Sequence, residues 1–427
     1  MSFDDHPLRY ALTNELHARP FPSLTAPGQA IYLAIKEPSQ AAKRDRGRDR
    51  AHLLALLDRF GAQHPKPDAT HYFGDLGKFR LKWEQHTEFV TYTAFIDNGL
   101  SRPFDPAAWE VFPEDWLADI PGARITSAHL VYLPAPEDEA EIEPLIHDWF
   151  VPESLAVSRV LDDTAVIAGD FRIDSSGHLR FAIFTRPDTG QRRLGRVVQR
   201  ICEIETYKTM SMLGLPRARD ISGKLGQIDE RLSHLVTDMT GDLSKPDETL
   251  GHLLAIASEL EKLQTETAFR FGATGAYDAI VTQRVQVLRE ERFRGRQTFA
   301  EFMMRRFDPA MRTIKSTEAR LETMTTRAIR AGDLLRTRVD VDRSAQNQAL
   351  LESMDRRSDM ALRLQKTVEG LSVVAISYYA VNLVVYLIGP LAEPLGISKT
   401  LLTALAVLPT VLAVWMIVRS IRKSVEK

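Results

Sequence analysis

The chain has 427 residues, 44% hydrophobic and 26% charged, which is too long for one small domain and too evenly mixed for a disordered one; two or three folded units are expected. Its net charge of −2 hides an asymmetry, since residues 1–189 carry −10, residues 190–366 carry +6 and the remainder +2. An acidic first part excludes nucleic acid as its partner, because phosphate binding needs a basic face.

A lone cysteine, Cys202, excludes an intrachain disulfide and the Cys-rich zinc and redox-pair motifs, and a reducing, cytoplasmic setting fits it best. The opening MSFDDHPLRYALTNELHARPF lacks a basic start followed by an apolar core. No signal peptide is read there, so any membrane segment is expected further inside the chain.

Residues 1–189 read as a cytoplasmic α+β domain. Short helices are expected over RAHLLALLDRF at 50–60 and over 139–150. Between 70 and 189 strand-like runs alternate with turns: KFRLKWEQH and EFVTYTAFI form a hairpin, followed by ARITSAHLVYL, SLAVSRVL, TAVIAGDFRI and HLRFAIFT in a mainly antiparallel sheet. KRDRGRDR at 43–50 reads as an exposed loop of alternating sign.

Chemistry-bearing motifs are sparse in this unit. It contains no P-loop, no GxGxxG after a strand, no HExxH and no GxSxG. Glu15, His17 and Arg19 crowd an acid, an imidazole and a guanidinium into five residues, which suits either a general base or anion site or a packed segment with a hydrogen-bonded histidine. The acidic run EDEAEIEPLIHD, with Glu143, His147 and Asp148, offers oxygen ligands to a divalent cation but lacks calcium-loop spacing, so a solvated acidic face is the default. No catalytic residue, metal ligand or cofactor is assigned.

From 190 to 309 the composition is that of a helical body. Leu194, Val197, Val198, Ile201, Ile204, Tyr207 and Met210 follow three-four spacing in one helix, and others are expected at 221–240, 246–271 and 276–307, with Phe271-Gly272 as a break. Residues 310–369 read as a stalk continuous with the next segment, about 120 Å of helix at 1.5 Å per residue over 310–388. Ile314, Leu321, Ala328 and Leu335 step by seven, as do Met354, Ala361, Val368 and Ala375, so the stalk is expected to pack as a coiled coil against copies of itself or other helices.

Two uncharged apolar runs close the chain, residues 370–388 and 401–418, each long enough for a hydrocarbon core of about 30 Å, joined by the short outer loop 389–400 and followed by a basic tail, 419–427. A soluble alternative is a buried helical hairpin. Arg356, Arg357, Arg363 and Lys366 precede the first run, and Arg419, Arg422 and Lys423 follow the second. By the positive-inside rule both termini are cytoplasmic and the loop is outside, in the bacterial inner (plasma) membrane. Ser377, Tyr378, Asn382 and Tyr386, with Gly389, mark one polar side of the first run. They are read either as an ion pathway or as a helix-packing stripe with interfacial tyrosines.

The stretches HPLRYALTNELHARPFPSLTAP and SMDRRSDMALRLQKTVEGLSVVAISYYAVNLVVYL resemble a bacterial family of uncharacterised, membrane-anchored proteins, a domain-of-unknown-function group, over nearly the whole chain. That resemblance implies a membrane anchor and no established activity. The layout also resembles, more distantly, the CorA-type divalent-cation transporters. These combine a cytoplasmic α/β domain, a stalk helix entering the membrane and a short outer loop, assembled as pentamers. Their Gly-Met-Asn signature is replaced here by Tyr386-Leu387-Ile388-Gly389-Pro390, in which only the glycine matches.

The function expected is that of a membrane-anchored, cytoplasm-facing homo-oligomer, for which the transporter likeness implies a pentamer, acting in assembly or regulation without catalysis and with the lipid bilayer as its partner. The alternative is a CorA-like channel or divalent-cation transporter lined by the first span. An enzyme reading rests only on Glu15, His17 and Arg19.

Overall fold

A computed structural model describes residues 4–10, 12–13, 21–38, 44–97, 102–239, 246–392 and 398–425. The chain forms two compact units, residues 1–244 with 251–331, and residues 245–250 with 332–427.

In the first unit the strands are β1 (Gly28–Lys36), β2 (His71–Asp75), β3 (Arg80–Gln85), β4 (Phe89–Asp97), β5 (Ala123–Pro134), β6 (Ala156–Val160), β7 (Ala165–Gly169), β8 (Leu179–Thr185) and β9 (Glu291–Arg292). They form one sheet in the order β2-β3-β4-β1-β5-β8-β7-β6-β9. The sheet is mainly antiparallel, as expected, with one parallel pairing among the described residues. β8 runs parallel to β5, from Ala128 opposite Leu179 to Pro134 opposite Thr185, because an intervening helix and the β6-β7 hairpin return the chain in its original direction.

The central strand β1 is buried along all nine residues, as expected when helices cover both faces of a sheet. On the face of Ile31, Leu33 and Ile35 lies α1 (Arg46–Arg59), whose Leu53, Leu56 and Leu57 pack with Trp83, Tyr92 and with Trp116 of α2 (Glu114–Ala118). Further along the same face, Ile142 and Ile146 of α3 (Ile142–Trp149) pack against Val157, Val166 and Phe184. The opposite face, with Ala30, Tyr32 and Ala34, is covered by α4 (Gln191–Met212), whose expected apolar stripe is buried at Leu194, Val197, Val198, Ile201, Ile204 and Met210.

Residues 44–50 of the expected exposed loop enter a helix instead, and Lys43 lies outside the described residues. Asp45 caps α1 by accepting from the Gly47 and Arg48 amides, and Arg44 donates to both oxygens of the fully buried Asp49 at 2.6 and 2.5 Å. Alternating charge here encodes a cap and a buried bidentate pair.

After α4 the chain continues into α5 (Gly214–Asp238) and α6 (Pro246–Gln286). α6 passes through Phe271-Gly272 without the expected break. Burial of Phe271 and Thr274 on either side offsets the helix penalty of about 1 kcal/mol for a glycine. In place of a helix over 276–307 the chain supplies the short strand β9 and then α7 (Phe299–Arg306), started by a Thr298–Glu301 capping box.

One continuous helix, α8 (Asp308–Ala392), begins in the first unit and extends through the second. The first heptad row, Ile314, Leu321, Ala328 and Leu335, is buried within the chain itself. Beyond it, Leu350, Met354, Leu364, Val368 and Leu371 are exposed. Among the described residues, α8 and α9 (Lys399–Val425) are two helices long and apolar enough to cross a membrane, within Asp308–Pro390 and Lys399–Ile421.

Candidate functional site

Glu15, His17 and Arg19 lie outside the described residues. On α8, Ser377, Val381 and Val385 form a buried row, four residues apart. Tyr378, Asn382 and Tyr386 form the adjacent row, turned by one residue, or about 100°, with both tyrosines fully open. Asn382 donates its Nδ2 to the Tyr378 carbonyl at 3.0 Å and is otherwise unpaired among the described residues. Gly389, farther along, has open space around it. The five positions therefore do not converge on one point in a single chain.

The acidic run after β5 is engaged by arginines. Glu139 accepts from Arg159 at 2.6 Å and also from Arg186, while Glu143 accepts from Arg296 at 2.7 Å and faces Arg294 at 3.0 Å. The Arg159 guanidinium, with that of Arg186, holds the Glu139 carboxyl below the usual carboxylate range. Among the described residues no group of three or more His, Cys, Asp or Glu side chains is arranged to hold a metal ion.

Three histidines sit on the α1–α3 face of the sheet. His52 stacks on Trp116 and accepts the Tyr92 hydroxyl at 2.9 Å while donating to the Trp116 carbonyl at 3.0 Å. His129 donates to Gln29 at 2.9 Å, and burial, with His178 nearby, pushes its pKa down to about 4. His178 stacks on Trp109 and meets the Ser127 hydroxyl at 2.8 Å; burial and the Arg124 charge lower it to about 4 as well. Ser127 and His178 do not form a catalytic relay with Asp174, whose Oδ1 accepts from the backbone amides of Ser176 and His178 rather than from the imidazole.

The best-formed pocket, about 220 Å³, lies on the other face of the sheet, between β3, β4 and β1 below and α4 above. Its floor is built by strand register. Lys82, Thr93 and Tyr32 are opposite one another across β3, β4 and β1, and Glu84 and Thr91 occupy the next rung pointing the same way. A chain of polar contacts runs along one wall: Lys82 Nζ lies 3.1 Å from Glu84 Oε2 and donates to Gln199 Oε1 at 2.8 Å; Gln199 donates to Glu203 at 2.7 Å; Arg284 of α6 pairs with Glu203. Phe89 and Phe95 supply buried aromatic walls, and Phe21 lines the pocket with an exposed ring.

Cys202 also borders this pocket, but burial pushes its thiol far above the usual range, so it remains protonated and inert. Burial likewise raises the Tyr32 phenol, which pairs with Thr206. The arrangement offers fixed charges, hydroxyls and aromatic rings. The sequence signal for it was the alternation of Lys82 and Glu84 with Leu81 and Trp83, which ordinarily marks a strand with one wet face.

The family model described as Protein of unknown function (DUF3422) matches residues 4–425, nearly the whole chain. No curated protein and no solved structure matches it.

Proposed function

The chain belongs to that family, and we propose that it is a membrane protein of the bacterial inner membrane, anchored by a helical hairpin, with a folded cytoplasmic body that works in assembly or regulation rather than catalysis. One observation carries this reading: the apolar side chains of both candidate spans point outward. Leu371, Val374, Leu383, Leu387, Leu405 and Leu408 are each more than 60% exposed, a density of open apolar surface that water does not tolerate and lipid does.

Cation–aromatic pairs support the same assignment. Lys399 lies over Tyr386 at 5.8 Å, and Arg419 over Trp415 at 4.9 Å, side chains suited to the two membrane–water boundaries. The basic residues before the first span and after the second support a cytoplasmic side for both termini by the positive-inside rule.

Self-association is part of the proposal. Leu350, Met354, Ala361, Leu364, Val368 and Leu371 recur at spacings of three, four and seven, and they form an exposed seam of the kind that pairs with its copies. The polar row Tyr378–Asn382–Tyr386, beside rather than within the buried row, favours a second reading in which assembled copies line a cation path with it.

Flotation of native membranes through a density gradient after alkaline carbonate washing tests the anchor. The full chain should float with lipid, and a chain ending at residue 366 should not. Recovery of the full chain in the soluble fraction would overturn the reading. Reconstituted vesicles that show self-association without cation flux would remove the pathway and leave the anchor.

A further inference from the structure

We propose that the pocket between β3, β4 and α4 binds a free aromatic amino acid, with the carboxylate at Lys82 and Thr93, the ammonium at Glu84 and Thr91, and the ring beside Phe95 and Phe21. The inference does not rest on the membrane reading, since every residue it uses belongs to the first unit.

The argument begins with unspent hydrogen-bonding capacity. Lys82 is 5% exposed and has three donors, of which Gln199 and Glu84 engage two. Glu84 meets Lys82 through Oε2, leaving its other oxygen for a donor. The hydroxyls of Thr91 and Thr93 border the pocket and have no partner among the described residues, although both residues are more than 90% buried. By contrast, Glu203 and Gln199 are engaged by Arg284 and by each other, and they serve to hold Lys82 in place.

Charge then selects the ligand class. Lys82 and Glu84 are 3.1 Å apart, so a lone carboxylate placed on Lys82 meets the Glu84 charge, and a lone ammonium placed on Glu84 meets that of Lys82. A zwitterion resolves both conflicts, because each of its charges faces the opposite one. The two rungs of the sheet present the matching hydroxyls, Thr93 beside Lys82 and Thr91 beside Glu84. The volume of about 220 Å³ falls below the roughly 300–1,000 Å³ of drug-sized sites and suits a ligand of about a dozen heavy atoms. Phe95 and Phe21 supply aromatic surface at the Thr93 end of the pocket, which favours a ring on the ligand.

Isothermal titration calorimetry on the full chain in detergent micelles tests this with L-phenylalanine, 3-phenylpropionate and 2-phenylethylamine. L-Phenylalanine should bind saturably with a Kd below about 1 mM, and the analogues, each lacking one charge, at least tenfold more weakly. Thr93→Val, nearly isosteric, should weaken L-phenylalanine at least fivefold with an unchanged melting temperature, and Lys82→Met should abolish binding. Absence of saturable L-phenylalanine binding, equal binding of either single-charge analogue, or full affinity in Thr93→Val would each overturn the assignment.

Discussion

Glu88 accepts the hydroxyl proton of Tyr277 at 3.0 Å, joining the turn between β3 and β4 to α6 across 189 residues of chain. Arg270, two turns earlier on the same face of α6, donates to the same carboxylate, and Lys36 at the end of β1 lies 3.9 Å from it. Glu88 is only 1% exposed, so this cluster is a buried ionic clasp between the sheet and the helical body. Glu88→Ala removes the carboxylate facing the buried Lys36 and the half-buried Arg270 and should lower stability by about 3 kcal/mol, read as a fall in the urea midpoint at unchanged slope. Glu88→Gln should lose less, because it still accepts from Tyr277.

His129 gives the stability a defined acid limb. Its folded pKa of about 4 lies below the ordinary 6.5, so the unfolded chain takes up the proton first. The associated stability is fully present above pH 6.5 and is lost as pH falls through the window toward 4. The slope approaches about 1.4 kcal/mol per pH unit for this one group. His178 shifts the same way but is only half-buried and contributes less. Denaturation curves at several pH values should show a shallower acid limb in His129→Gln than in the natural chain.

Gly195 marks where the N-terminal segment touches α4. A Cβ there would sit 1.7 Å from the Pro22 carbonyl oxygen, a backbone atom that cannot swing away. The same segment is pinned by the Leu24 amide donating to the Gln191 carbonyl at 3.1 Å. Gly195→Ala is expected to displace residues 21–24, and limited proteolysis should then cut ahead of β1. Gly223→Ala, at a helical site with open space, should leave the digestion pattern unchanged.

Within a bilayer, Asn382 retains one amide proton and an oxygen without a partner after bonding Tyr378. A second copy can satisfy them. Asn382→Leu should weaken self-association in vesicles by roughly threefold to thirtyfold, corresponding to about 0.6–2 kcal/mol for an amide contact in lipid. Dilution-dependent energy transfer between labelled copies measures this, and unchanged transfer would assign the association to the Leu350–Leu371 seam alone.

The parts of the fold legible in the sequence were those in which one face differs from the other. Strands β3 to β8 announce themselves through turns and alternation, and α4 through its three-four stripe. The central strand escaped because GQAIYLAIK is buried on both sides and so carries no alternation. β9 escaped because two residues, Glu291 and Arg292, leave no pattern at all. The pocket was illegible for the opposite reason: Lys82, Glu84, Thr91 and Thr93 look like a solvated face, and only the docking of α4 encloses them. The repeat of seven misled in a related way. Spacing predicts an apolar seam without saying who fills it, and α8 spends its first heptad row on its own body.

β6 is completed only from far downstream. Ser158 pairs with Arg292, the Val157 amide donates to the Gln297 carbonyl at 2.9 Å, and the Leu161 amide donates to the Leu288 carbonyl at 2.8 Å. During synthesis, then, the β8-β7-β6 side of the sheet has an open, pairing-competent edge from the moment β8 emerges until residue 297 has left the ribosome, more than a hundred residues later. A nascent chain stalled in that interval exposes an edge that can pair with another copy, and the two long apolar helices near the C-terminus are completed only after that edge has been sealed.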